Sequence, residues 1–175
     1  FGMYFNFSFY LDVDHNTINV DNPTTGGNRA LFMAIYGPAN VRNNIFTIMN
    51  TSATNAIPVQ FSTSNAPTLT NNNYFSTLNS NIIQTPNGTF TTAALTTAFP
   101  SGGGAGSLNI DPQYPSSSDL HLGAAIGANT FNSTLNLTAT VPVDIDNQSR
   151  NGTPDMNKKE KSLNDVGVSA IIAPL

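Results

Sequence analysis

The chain contains no cysteine, which removes disulfides, thiolate metal sites, cysteine nucleophiles and thiol redox chemistry together. It contains no tryptophan either, so the largest ring for stacking on sugars is missing. Charge is scarce, with six Lys and Arg against ten Asp and Glu, a net charge of -4 and only 9% of residues charged. The basic residues form no stripe, which argues against nucleic acid as a partner. Long hydrophobic runs are absent too. The longest, Ala30-Leu31-Phe32-Met33-Ala34-Ile35-Tyr36, stops at Gly37-Pro38, far short of the roughly 20 residues of a spanning helix. No membrane span is expected.

Asparagine, threonine, serine and glycine fill the gap, asparagine alone at about one residue in seven, well above ordinary usage. This polar, uncharged bias points to an extracellular β-protein, secreted or at a cell surface. The sequence opens at Phe1 inside an apolar segment with no leader ahead of it, and reads as a trimmed piece of a longer polypeptide.

The chain repeats itself. Val13-Asp14-His15-Asn16-Thr17-Ile18-Asn19-Val20 aligns with Val41-Arg42-Asn43-Asn44-Ile45-Phe46-Thr47-Ile48, and again with Leu69-Thr70-Asn71-Asn72-Asn73-Tyr74-Phe75-Ser76, so Asn16, Asn44 and Asn72 recur every 28 residues. A second apolar strand precedes each copy, at Gly2 to Phe7, at Ala30 to Ile35 and, with a slip of two residues, at Ala56 to Phe61. Apolar residues two apart, interrupted by an Asn pair, are strand periodicity broken by a corner. Asparagine suits the corner because it tolerates left-handed backbone, and its amide can bond to the Asn of a neighbouring repeat stacked at strand spacing. A ladder of Asn16, Asn44 and Asn72 is therefore expected. Val13, Val41 and Leu69 should form one inward row, and Ile18, Phe46 and Tyr74 another, since stacked repeats bury what one repeat cannot. The expected fold is all-β, a right-handed parallel β-helix (β-solenoid) with a loop-rich C-terminal cap.

Asn43-Asn44-Ile45-Phe46 resembles the "NNIF" phrase that recurs in the right-handed parallel β-helix repeats of large secreted cell-surface proteins of Bacteroidota. The likeness extends through Asn109 to Tyr114, Ser117 to Leu122, Asp144 to Arg150 and Asn151 to Met156, which are similar, in order, to that family's closing region. It covers roughly residues 1 to 156 and ends at Asn157-Lys158-Lys159-Glu160-Lys161. It implies the C-terminal coils and cap of a larger surface protein, with a small helix on the flank near Thr91 to Ala98.

The organisation expected is coils over 1–76, then flank loops, the short helix and a cap over 77–156. The turn signals Pro86-Asn87-Gly88 and Ser101 to Ser107 fall in this second part. Alternating Leu135, Leu137, Val141 and Val143 suggest a cover for the open strand edges. A charged linker follows over 157–164, and the alternation over 165–175 resembles the first strand of a following β-domain.

Candidate chemistry is thin. Asp12 and Asp14 share one strand face, but Arg42 lies one repeat beyond Asp14, and the pair Asp14 and Arg42 reads as a surface ion pair of at most about 1 kcal/mol. Carboxylates clustered for a polysaccharide lyase would need a basic partner, and the coils offer only Arg29 and Arg42. His15 takes the corner place of Asn43 and Asn71, and His121 has no spaced partner for a metal. Asp144, Asp146, Gln148 and Asp155 form an oxygen-rich loop of EF-hand length, the weak Ca²⁺ candidate. Ser149 stands where the tight-turn glycine belongs, and Asp155 replaces the bidentate glutamate. No other metal or cofactor is expected. There is no Gly-x-Ser-x-Gly elbow, and the glycine-rich stretch lacks the lysine of a phosphate loop, so it reads as a flexible loop. Tyr36, Tyr74 and Tyr114 are candidates for sugar stacking, with core or edge packing favoured for each. Regular outward threonine rows, which ice binding needs, are not formed by Thr17, Ile45 and Asn73.

These residues point to a non-catalytic structural or adhesive module of a secreted surface protein, partnered by a surface glycan or protein ligand and by the rest of its parent polypeptide. The competing expectation is part of a carbohydrate-active enzyme, a lyase or glycoside hydrolase, or a carbohydrate-binding module.

Overall fold

In a computed structural model of the chain, the described residues are 2–21, 27–49, 55–63, 67–95, 103–123, 126, 130–131, 135–143, 149–150 and 156. The Ca²⁺ candidate Asp144, Asp146, Gln148 and Asp155, the linker over 157–164 and the stretch 165–175 lie outside them.

The fold is all-β with parallel sheets. The first repeat supplies β1 (Met3–Ser8), β2 (Leu11–Asp14) and β3 (Thr17–Val20), and the second supplies β4 (Leu31–Ile35), β5 (Ala39–Arg42) and β6 (Ile45–Ile48). The third gives β7 (Val59–Phe61), β8 (Thr68–Thr70) and β9 (Asn73–Ser76). Then come β10 (Ile83–Thr85), β11 (Gly88–Phe90), a 3₁₀ turn (Thr92–Ala94) and β12 (Gly103–Ala105). Each repeat adds one strand to each of three sheets, ordered β1-β4-β7-β10-β11, β12-β8-β5-β2 and β3-β6-β9. All these pairs are parallel except the β10–β11 hairpin. Parallel neighbours need a long connection between them, and the intervening strands of the other two sheets provide it.

Register follows from which residues must be inside. Val13 pairs with Val41 and Val41 with Leu69, while Ile18 pairs with Phe46 and Phe46 with Tyr74. Apart from Ile18, which packs on the core half-buried, all are buried in one hydrophobic cluster. The Phe46 and Tyr74 rings stack with centroids 6.0 Å apart. A shift of one residue would turn every one of these side chains to the opposite face.

The first sheet departs from the expected slip of two residues. Leu31 pairs with Val59 and Met33 with Phe61, so the 28-residue interval holds. Ala56 and Ile57 are buried but precede the strand, and the Pro58 carbonyl accepts from the backbone N–H groups of both Ala30 and Leu31. Met3, Leu31 and Val59 open the strand at the same place in each repeat, so the interval and not the apolar run sets the start. The apolar run alone misplaces the strand start.

Within the stretch 77–107, expected as flank loops, the described residues add a fourth strand to two of the sheets at irregular spacing. β10 pairs with β7, β12 pairs with β8, and Leu108 bridges to Asn73. Pro86-Asn87 is the turn of the β10–β11 hairpin. Within the described residues the glycine-rich stretch forms β12 and the turn after it, where its glycines permit close approach. A Cβ on Gly106, at φ 67, would lie 2.0 Å from Asn71 Oδ1. Of the helix expected over Thr91 to Ala98, the described residues show a 3₁₀ turn and then Leu95, helical in backbone and packed into the core, while 96–98 lie outside them.

The C-terminal part covers the flank of the β3-β6-β9 sheet. Phe131 and Met156 bury themselves against Ile45, with Leu108, Ile110, Tyr114, Leu122 and Ile126 around them. The Leu135 carbonyl accepts a hydrogen bond from Asn43 Nδ2 at 3.2 Å. Leu137 is buried, but Val143 is 38% exposed, so the alternation over 135–143 is not that of a strand.

Candidate functional site

Two adjacent positions divide the work at the corner after the second strand of each repeat. His15, Asn43 and Asn71 adopt left-handed backbone, with φ of 55, 57 and 51 degrees. Their successors Asn16, Asn44 and Asn72 carry the ladder. Asn16 donates its backbone N–H and its Nδ2 to Asn44 Oδ1 at 2.9 and 3.0 Å, and Asn44 donates likewise to Asn72 Oδ1 at 3.0 and 2.9 Å. Asn44 Nδ2 also donates to the carbonyls of Val13 and Arg42, and Asn72 Nδ2 to the carbonyl of Val41. Asn44 and Asn72 are fully buried. Buried amides must be satisfied or they cost free energy, and stacking an identical amide at strand spacing satisfies them repeatedly. At the last rung Ser107 Oγ takes the acceptor place, 3.4 Å from the Asn72 backbone N.

The charged residues lie on the outer faces of β2 and β5. Asp14 pairs with Arg42 in register and accepts two hydrogen bonds from it, at 2.8 and 2.6 Å. This pair is more shielded than the surface pair expected, with side-chain exposures of 6% for Asp14 and 19% for Arg42, because the guanidinium lies across the carboxylate from the neighbouring strand. The hydrogen bonds to Asp14 raise the Arg42 pKa against the opposing effect of burial. Asp12 is the open one, 53% exposed, 3.4 Å from Arg42 and accepting from Asn40 Nδ2 at 2.7 Å. Engaged through Nε and Nη2 by the two carboxylates, Arg42 is poorly placed to abstract a proton from a substrate.

Arg29 has a role that its sequence context did not announce. It is 3% exposed, and its guanidinium donates to Gln60 Oε1 at 2.9 Å, Gln84 Oε1 at 2.6 Å, and the carbonyls of Asn28 and Asn55 at 2.8 and 2.7 Å. A longer contact of 3.4 Å reaches Asn55 Oδ1. Burial lowers its pKa. Gln60 and Gln84 are paired residues on β7 and β10, so one side chain from the second repeat clamps both of these strands. The nearest sequence signal is the glutamine pair 24 residues apart, which no 28-residue comparison aligns.

The remaining candidates are structural in their contacts. Tyr74 is buried in the core and Tyr114 is half-buried on the flank, and burial pushes both phenols well above their ordinary range. Tyr36 is 47% exposed. His15 Nε2 lies 3.1 Å from Asn43 Nδ2, in keeping with a corner hydrogen-bonder. His121 pairs through Nδ1 with the carboxylate of Asp119 two residues away, and this contact holds the Asp119 pKa below its usual value. Ser116 and Ser118 share that turn, where their hydroxyls bond to each other and Ser116 Oγ accepts from the Asp119 backbone N–H. No cluster of three metal-ligating side chains occurs among the described residues, and no helix among them is long and apolar enough to cross a membrane. Thr17, Ile45 and Asn73 stand in register, a mixed row across the third sheet.

No family model matches the chain, and neither a curated protein nor a solved structure does.

Proposed function

We propose that this chain forms the closing coils and cap of a right-handed parallel β-helix, a rigid structural or adhesive module of a large secreted bacterial cell-surface protein of the kind found in Bacteroidota. The observation that carries the reading is the ladder Asn16–Asn44–Asn72, which joins three repeats at one interval through buried amides. A stack held this way resists shear between repeats, as a stalk or spacer must. It offers little of the mobility of a site that opens and closes. The Arg29 clamp adds a second tie on another sheet. The low charge and absence of cysteine suit an exposed, extracellular setting. The remainder of the parent polypeptide and a surface ligand are its partners, and no cofactor enters.

The enzyme reading is tested by incubating the protein with alginate, polygalacturonate and chondroitin and following unsaturated products and new reducing ends. No product is expected. Turnover that Asp14→Asn abolishes at an unchanged melting temperature would overturn the non-catalytic reading in favour of a carbohydrate-active enzyme.

A further inference from the structure

We infer that the corner joining β1 and β4 to β2 and β5 is a binding platform for neutral carbohydrate, with Phe9, Tyr10 and Tyr36 stacking on pyranose faces. This deepens the adhesive reading by naming its ligand class. Tyr10 is 83% exposed, Phe9 62% and Tyr36 47%, and the Phe9 and Tyr36 rings lie 6.1 Å apart at 38 degrees. Neither Phe9 nor Tyr10 belongs to a hydrophobic cluster of the core.

The backbone is irregular at the place where these rings emerge. Register between β1 and β4 shifts between Asn6 and Ser8, after which Ser8 opposes Ile35 while Leu11 again opposes Ala39. Two residues, Phe9 and Tyr10, thus turn a corner that Tyr36-Gly37-Pro38 turns in the next repeat. Tyr10 does so at φ 55, a region where a bulky side chain meets steric resistance. Gly37 leaves the room in which Phe9 lies, as a Cβ there would come within 3.3 Å of Phe9 Cδ1. A bulge, a shortened corner and a left-handed tyrosine all raise the energy of the chain, and together they present rings to water that burial would favour hiding. Strain of this kind concentrates at functional sites.

The chemistry of the surroundings selects the ligand. Aromatic faces are electron-rich and complement the C–H face of a sugar ring. The three rings expose about 400 Å², a patch of functional size but half of the roughly 800 Å² per partner that a stable protein interface buries. Beyond them along β2 and β5, Asp12 and Asn40 offer a carboxylate and an amide to hydroxyl groups. The one basic side chain on these strands, Arg42, is bound to Asp14, which disfavours an acidic sugar.

The test is binding of cellohexaose, xylohexaose, mannohexaose and maltohexaose, with polygalacturonate for comparison, read by tyrosine fluorescence and calorimetry. At least one neutral hexasaccharide should bind, and Tyr10→Ala or Phe9→Ala should weaken it about tenfold. Tyr4→Ala, which removes an exposed ring stacked on Phe32 elsewhere on the same sheet, should leave affinity unchanged. Tyr10→Asn, suited to left-handed backbone, should raise the melting temperature while weakening binding, a combination that a packing role would not produce. Binding to no neutral hexasaccharide, a preference for polygalacturonate, equal loss in Tyr4→Ala, or a lower melting temperature in Tyr10→Asn would overturn the inference. So would self-association abolished by Tyr10→Ala, which would assign the rings to a second copy. Failure here leaves the rigid-module reading to stand or fall on the ladder variants below.

Discussion

Replacing Asn44 with alanine removes five side-chain hydrogen bonds at a fully buried position. Three are made by Nδ2, to the Val13 and Arg42 carbonyls and Asn72 Oδ1, with one of its two N–H groups shared, and two are accepted by Oδ1 from Asn16. Some former partners keep another bond. The Arg42 carbonyl still accepts from His15, Asn72 Oδ1 from the backbone of residue 44, and Asn16 Nδ2 still donates to the Asp14 carbonyl. The Asn16 backbone N–H loses its Oδ1 acceptor. With about 1 kcal/mol for each satisfied bond and 1–3 kcal/mol for a group left orphaned, the cost is about 3–5 kcal/mol. At a urea dependence of roughly 2 kcal/mol per molar, the unfolding midpoint falls by about 2 M. Asn72→Ala loses one donation and the two bonds accepted from Asn44, about 2–3 kcal/mol. Asn16→Ala loses two donations at a half-buried site, about 1 kcal/mol. Urea unfolding followed by far-ultraviolet circular dichroism should rank the losses Asn44 > Asn72 > Asn16. Equal losses at Asn16 and Asn44 would refute the reasoning, since the amides would then act only within their own corners.

Arg29→Lys replaces a planar five-donor fork with three donors on one atom and should cost about 2 kcal/mol. Loss of amide protection confined to β7 and β10 on hydrogen exchange would identify the clamp, whereas unchanged stability would dismiss it. Gly106→Ala should destabilise by more than about 1 kcal/mol, because it combines positive φ with a Cβ driven into Asn71; a variant melting at the wild-type temperature would contradict that packing. For the Asp119–His121 turn, the depressed Asp119 pKa means the contact is fully formed above the ordinary carboxylate range and is lost as pH falls through the lower folded value. NMR titration of the His121 amide should give a midpoint below the ordinary aspartate value, and a midpoint at or above that value would refute the pairing.

Much of the interior could be read before any coordinates. Apolar rows through Val13, Val41 and Leu69 and through Ile18, Phe46 and Tyr74 follow from strand periodicity repeated at a fixed interval, and so does the placing of Asn16, Asn44 and Asn72 in one file. The strand start at Val59 follows from the same interval after Leu31, but Ala56 and Ile57 are as apolar as any strand residue, and the apolar run drew the alignment two residues early. The strands added after the third repeat escaped for the opposite reason. β10 and β12 lie 24 and 34 residues from their partners, and no periodic comparison finds them.

The candidate site shows the same division. The sequence placed His15 at the corner and Arg42 beside Asp14, since both inferences need only the repeat length. It could not apportion the corner between the residue that turns left-handed and the neighbour that bonds along the stack, nor the depth at which Asp14 is held. It left Phe9 and Tyr10 unremarked, because hydrophobicity predicts burial and exposure emerges from a bulge and a single positive φ. By itself the sequence determined an all-β chain with a 28-residue repeat, because composition and local periodicity act along the chain. The clamp at Arg29, the shielding of the ion pair and the exposed rings were decided only by tertiary structure, because each depends on groups brought together across different intervals, where hydrogen-bond satisfaction and sterics outweigh any local preference.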